Sequence, residues 1–137
     1  MNPTLHLKIA GTLMLLLAAA HIYFPKRFRW KEDLRRLSPL NRQIFVSHCL
    51  FIVLVLVLFG LLSIFCAESL VQPNWLARAV LSGLVFFWAA RLFVQFFVYD
   101  SNLWKGNSFN TAMHVLFSSM WSYYVAVYAT ALWHQYH

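Results

Sequence analysis

Three histidines, His21, His48 and His114, fall within long apolar stretches of the chain, as do Arg91, Gln95, Ser118 and Trp121. Neutral imidazole ligates zinc, copper, iron and nickel, and three imidazoles leave a coordination position open for water or substrate. His21, His48 and His114 are therefore candidate ligands of a transition metal ion (Zn, Fe or Cu). Gln95, Asn110 or Ser118 would orient those imidazoles by hydrogen bonding. Arg91 repels a bare cation and is better suited to a carboxylate or propionate. That leads to a second expectation, haem b, with two of the histidines as axial ligands and Arg91 or the basic loop holding the propionates. Ala18, Ala19, Ala20, Ala89 and Ala90 would leave room for the flat ring. A third expectation needs no cofactor: His, Arg and Gln hydrogen-bond between helices, each contact contributing on average less than ~1 kcal/mol.

Other chemistry is thinly represented. His6, His134 and His137 are expected near the opposite face and could form a lesser, outer metal site. Cys49 and Cys66 are seventeen residues apart in one apolar run, roughly 25 Å along a helix, so they cannot pair and read as packing residues. All four carboxylates, Glu32, Asp33, Glu68 and Asp100, lie between the apolar runs, which argues against a carboxylate-bridged di-iron centre or a proton-pump relay. Asp100 could pair with Arg42 or Lys105, at little gain for an exposed pair. No glycine-rich phosphate loop, nucleophile elbow or Cys-x-x-Cys occurs. Trp88, Trp104, Trp121, Tyr123 and Tyr124 are expected mostly to face lipid or an interface belt, with one or two walling the histidine layer.

The elements that must position these groups are transmembrane. Of the 137 residues, 61% are hydrophobic and 11% charged, whereas a soluble globule carries about a quarter charged residues. The length suggests one domain, residues 1–137, an all-α integral membrane protein built as a four-transmembrane-helix bundle. Helices are expected at about 5–24, 39–67, 75–98 and 108–133, each near the twenty residues that cross a core of roughly 30 Å. Phe24-Pro25 should end the first. Ser38-Pro39 reads as an N-cap and first helical position for the second. Gln72-Pro73-Asn74 breaks before the third, with Trp75 as an interface anchor, and Asn107-Ser108 caps the fourth. Trp30, Leu34 and Leu37 are spaced for one face of a short interfacial helix. Residues 13–20 resemble the end of a signal peptide whose cleavage would make His21 the amino terminus, a place where some copper enzymes keep a ligand. They lack a basic leader, and a retained helix is expected.

Charge orients the bundle. Seven of the eleven basic residues (Lys26, Arg27, Arg29, Lys31, Arg35, Arg36 and Arg42) lie between the first two runs, as the positive-inside rule expects of a cytoplasmic loop against anionic lipid. Both termini are then extracytoplasmic, in what is expected to be a bacterial inner membrane. The net charge of +7 is thus accounted for without nucleic acid, for which no base-reading element exists. In this orientation His21, His48, Arg91, Gln95 and His114 share one slab near the cytoplasmic leaflet. Arg91 and Gln95 occupy one helix face, and Asn110, His114, Ser118 and Trp121 another. An arginine near the bilayer centre costs about 2.5–3.5 kcal/mol on insertion scales, so such groups face the protein interior and mark function. Expected partners are membrane lipids, a lipid or quinone substrate, and a second copy or partner membrane subunit.

Overall fold

The computed structural model describes residues 2–137, apart from the side chain of residue 101, and all regular structure among them is helical. The helices are α1 (Pro3–Ala20), α2 (Phe24–Arg27), α3 (Trp30–Leu34), α4 (Pro39–Phe65), α5 (Ala67–Val71), α6 (Trp75–Phe97) and α7 (Ser108–Trp133), with a single 3₁₀ turn at Ser101–Leu103. Four of them, α1, α4, α6 and α7, are long and apolar enough to cross a membrane. At about 1.5 Å per residue they run from about 27 to 40 Å, which defines a multi-pass membrane protein.

Helix boundaries follow local chemistry. Ser38 caps α4 by accepting from the amide of Asn41 at 3.3 Å, with Pro39 at the first helical position. Asn74 accepts from Ala77 at 2.7 Å at the start of α6. Asn107 accepts from the amides of Phe109 and Asn110 at the start of α7. Each cap satisfies amides that have no partner inside the helix.

The first helix ends earlier than the proline predicts. After Ala20 the amides of Ile22 and Tyr23 bond three residues back, at 3.1 and 2.9 Å, tightening the last turn into 3₁₀ geometry. Pro25 then sits in the first turn of α2, where its missing amide costs nothing. The proline opens a new helix instead of closing the old one. The interfacial helix is also shorter than its apolar spacing suggests. Arg29 adopts φ 52° before α3, and Leu37 lies beyond the helix end and is exposed. Trp30 packs edge-on against Phe45 at 5.0 Å.

The chain divides into two compact units. One comprises Lys8–Cys66, and the other Ala67–His137 with the amino-terminal residues through Leu7. Within Lys8–Cys66, α1 meets α4 at two glycines. A Cβ on Gly11 would stand 2.6 Å from the carbonyl oxygen of Gly60, and one on Gly60 3.0 Å from that of Gly11. Backbone contacts this close are how small residues let membrane helices associate.

In the other unit α6 and α7 form an antiparallel hairpin. Gln95 meets His114, Trp88 meets Trp121, and Arg78 meets Tyr136, one index falling as the other rises. The buried face of α6 reads Ala77, Leu81, Leu84, Trp88 and Gln95, in steps of four, three, four and seven, and that of α7 reads Trp121, Tyr124, Val127, Tyr128 and Ala131, in steps of three with Val127 and Tyr128 adjacent, so that one face of each helix turns inward. Gln135 clips the end of this hairpin away from the loop. Its amide nitrogen donates to the carbonyls of Leu70 and Gln72, and its oxygen accepts from the amide of Asn74.

Candidate functional site

The polar residues of the α6–α7 hairpin assemble into one chain of hydrogen bonds. Arg91 and Gln95 are one turn apart on α6, and Arg91 donates from Nη1 to Gln95 Oε1 at 3.3 Å. The other end of that amide, Nε2, lies 2.8 Å from Nδ1 of His114 on α7. A guanidinium only donates, so it fixes the amide with its oxygen toward Arg91 and its nitrogen toward the imidazole. Nδ1 of His114 must then accept, and the ring proton sits on Nε2. The reversed amide would set two donors against each other at Arg91.

Aromatic rings frame this chain. Trp104, from the α6–α7 loop, stacks on His114 with centroids 4.5 Å apart, and Phe96 meets the same imidazole edge-on at 5.9 Å. The loop is held for this by two side chains at the start of α7. Asn110 Nδ2 donates to the carbonyl of Leu103 at 3.0 Å, and Thr111 Oγ1 to that of Trp104 at 2.7 Å. The Arg91 guanidinium lies over Trp121 at 5.0 Å and over Tyr99 at 5.7 Å, cation–π contacts that suit a cation away from water. Beyond Arg91, Trp121 stacks on Trp88 at 5.2 Å, and Tyr124 packs on Trp88 at 4.6 Å.

The site is rich in donors and has no acid of its own. The long helices contain no Asp or Glu. Asp100, the acid nearest Arg91 in sequence, accepts from the backbone amide of Asn102. Among the described residues Arg91 has no acceptor besides Gln95, and Nε2 of His114 has none. Buried side-chain atoms without a hydrogen-bond partner include Trp88 Nε1, Ser118 Oγ, Trp121 Nε1 and Tyr124 Oη. The structure thus brings Arg91, Gln95, His114 and Trp121 together, with Ser118 one turn along α7 from His114.

His21 and His48 belong to the other compact unit. Each places Nδ1 2.8 Å from the carbonyl four residues back, Leu17 and Ile44 respectively. Donation to those carbonyls puts the ring proton on Nδ1 and leaves the Nε2 lone pair free. His48 is exposed, and His21 packs on Phe24 at 4.6 Å. No group of three or more His, Cys, Asp or Glu side chains placed to hold a metal ion occurs among the described residues. Nothing in the geometry therefore supports the three-histidine shell or the outer site. His6 instead meets the Tyr123 hydroxyl at 2.9 Å through Nδ1, and His137 stacks on Trp133 at 4.2 Å. Ala89 and Ala90, expected to make room for a haem, are exposed on α6.

Three aromatic expectations change. Trp88, Trp121 and Tyr124 are buried and do not face lipid. Their spacing carried that signal: Trp88, Arg91 and Gln95 follow an i, i+3, i+7 pattern, and His114, Trp121 and Tyr124 an i, i+7, i+10 pattern, each on one helix face. Trp104 and Tyr99 reach the site from the loop end, where periodicity gives no guide. Comparison with protein-family models, curated proteins and solved structures finds no match to the chain, so the function must be argued from these residues.

Proposed function

We propose that the protein is a multi-pass membrane protein that binds a lipid-soluble ligand through an electronegative oxygen, at a donor site made by Arg91, Gln95 and His114. One observation carries this reading. The Arg91–Gln95–His114 chain turns Nε2–H of His114 and the remaining guanidinium N–H groups into donors with no acceptor from the described chain. Unsatisfied donors inside a bilayer are costly, and an arriving carbonyl or carboxylate would satisfy them. Trp104, Phe96 and Trp121 supply flat walls for an unsaturated or long-chain molecule. The basic segment from Lys26 to Arg42 orients the chain by the positive-inside rule. Both termini then lie outside the cytoplasm, and the α6–α7 loop with the ligand site lies toward the cytoplasmic leaflet of a bacterial inner membrane.

Binding of tritiated decylubiquinone and oleate to detergent-purified protein tests this. Hydrogen bonds to a charged group contribute about 1.5–3 kcal/mol, so Arg91→Met should weaken at least one probe by roughly ten- to a hundredfold. Equal binding by the variant, or no binding of either probe by the unsubstituted protein, would overturn the proposal.

A second reading keeps a metal ion or haem b, favoured by His21 and His48. Imidazoles that donate from Nδ1 to a carbonyl and offer Nε2 have the arrangement of ligating histidines. A Soret band or stoichiometric metal in the same purified protein, lost in His48→Ala, would favour this reading over the first.

A further inference from the structure

The segment between α1 and α4 carries most of the charge of the chain and takes no part in the donor site. Lys26, Arg27, Arg29, Lys31, Arg35, Arg36 and Arg42 are all exposed. Seven cations and two acids, Glu32 and Asp33, leave a net charge of +5 over residues 26–42. Glu32 is already held by Arg29 at 2.8 Å. Apolar side chains are interleaved with these cations. Ile22, Tyr23, Phe28, Leu37 and Leu40 are exposed, the first two at 74% and 71%, and neither α2 nor α3 buries a residue.

The segment is tied to a membrane surface at both ends. Gly11 lies against Gly60, Ser63 and Ile64, and Gly60 against Gly11 and Leu15, so α1 and α4 run antiparallel. Ala20 and Pro39, where these two spans end and begin, therefore share one face of the bilayer. The positive-inside rule concerns the side on which such a loop stays during insertion. What its charges hold in the folded protein is a separate matter. We infer that residues 22–42 form a docking surface for anionic phospholipid in the leaflet they face. Guanidinium groups match phosphate oxygens in geometry as well as charge. Mixed basic and apolar surfaces of this kind lie in the headgroup region with their apolar side chains toward the acyl chains. Phospholipid thus engages both kinds of side chain at once, whereas a soluble polyanion engages only the cations. The inference is independent of the ligand at Arg91.

Lipid selectivity of the full chain, reconstituted in phosphatidylcholine vesicles, tests this. Each Lys or Arg near an anionic surface strengthens attraction by about fivefold. Nitroxide-labelled phosphatidylglycerol should therefore be immobilised about five- to tenfold more strongly than labelled phosphatidylcholine. Lys31→Gln/Arg35→Gln/Arg36→Gln lowers the net charge of the segment from +5 to +2 and should bring that preference within about twofold. Lys26→Gln/Arg27→Gln/Arg42→Gln carries the test if the first variant does not reconstitute. Sodium chloride at about 1 M, where the Debye length is about 3 Å, should likewise erase the preference of the unsubstituted protein. Lys105→Gln, a cation outside the segment, should leave it unchanged. Equal immobilisation of the two lipids by the unsubstituted protein would overturn the inference, as would a preference that survives substitution of the segment or high salt. Capture of soluble polyglutamate in preference to phosphatidylglycerol would overturn it in favour of an acidic protein partner. None of these outcomes alters the oleate and quinone measurements that test the donor site.

Discussion

Gln95 decides the character of the site. An amide between a guanidinium and an imidazole has one stable orientation, and through it Arg91 dictates which imidazole nitrogen carries the proton. His114 is made a donor, while His21 and His48, bonded to their own helix carbonyls, keep the opposite tautomer. Three histidines that look equivalent in sequence thus have two chemistries. Substituting Gln95 by Glu would place a carboxylate one turn from Arg91, an i, i+4 pair of opposite charge, and supply internally the anion that the proposed ligand would otherwise provide. Gln95→Glu should therefore abolish oleate binding at concentrations that saturate the unsubstituted protein, with no fall in melting temperature. Retained binding would show that Arg91 does not contact the ligand. Arg91, Gln95 and His114 were legible as inward-facing polar groups because ionisable residues in apolar runs are costly. Their grouping with His21 and His48 rested on depth alone, one coordinate of three. The tautomers were not legible at all, because that of His114 depends on a contact between helices and those of His21 and His48 on the side-chain rotamers that reach their own helix carbonyls.

At the scale of elements, the caps at Ser38, Asn74 and Asn107 were readable because each polar side chain stands just before an apolar run and meets the amides beyond it. Pro25 was misread because a proline is equally at home ending one helix and starting the next. The contact of α1 with α4 rests on two glycines that composition did not single out. At Gly60 a side chain would press on the Gly11 carbonyl oxygen and the Leu15 side chain, each 3.0 Å from its Cβ position. Gly60→Leu should lower stability by about 1–3 kcal/mol through overpacking. Gly83 on α6 has nothing within 4 Å of its would-be Cβ, and Gly83→Ala should raise stability by roughly 0.5–1 kcal/mol through helix propensity. Thermal melts of the two variants in one detergent check both signs. A destabilised Gly83→Ala or an unaffected Gly60→Leu would contradict the account.

At the scale of the whole molecule, four spans were legible because a run of about twenty apolar residues has few homes in water. The proposed orientation rests on charge placement, seven basic residues between the first two spans. In a background with Cys49 and Cys66 replaced by alanine, Ser69→Cys should react with a membrane-impermeant maleimide in intact spheroplasts. Asn102→Cys should react only after lysis. The converse pattern would invert the topology and move the donor site to the outer leaflet.

The clip made by Gln135 has a consequence in time. Its side chain satisfies the carbonyls of Leu70 and Gln72 and the amide of Asn74, a reach of 61 residues in the last case. At about 5–20 residues per second, those groups emerge some 3 to 12 seconds before the residue that completes them. The turn between α5 and α6 must therefore be inserted while still unfinished. Its closure waits for residue 135, and a ribosome stalled before that residue would leave behind a hairpin that is threaded but unlatched.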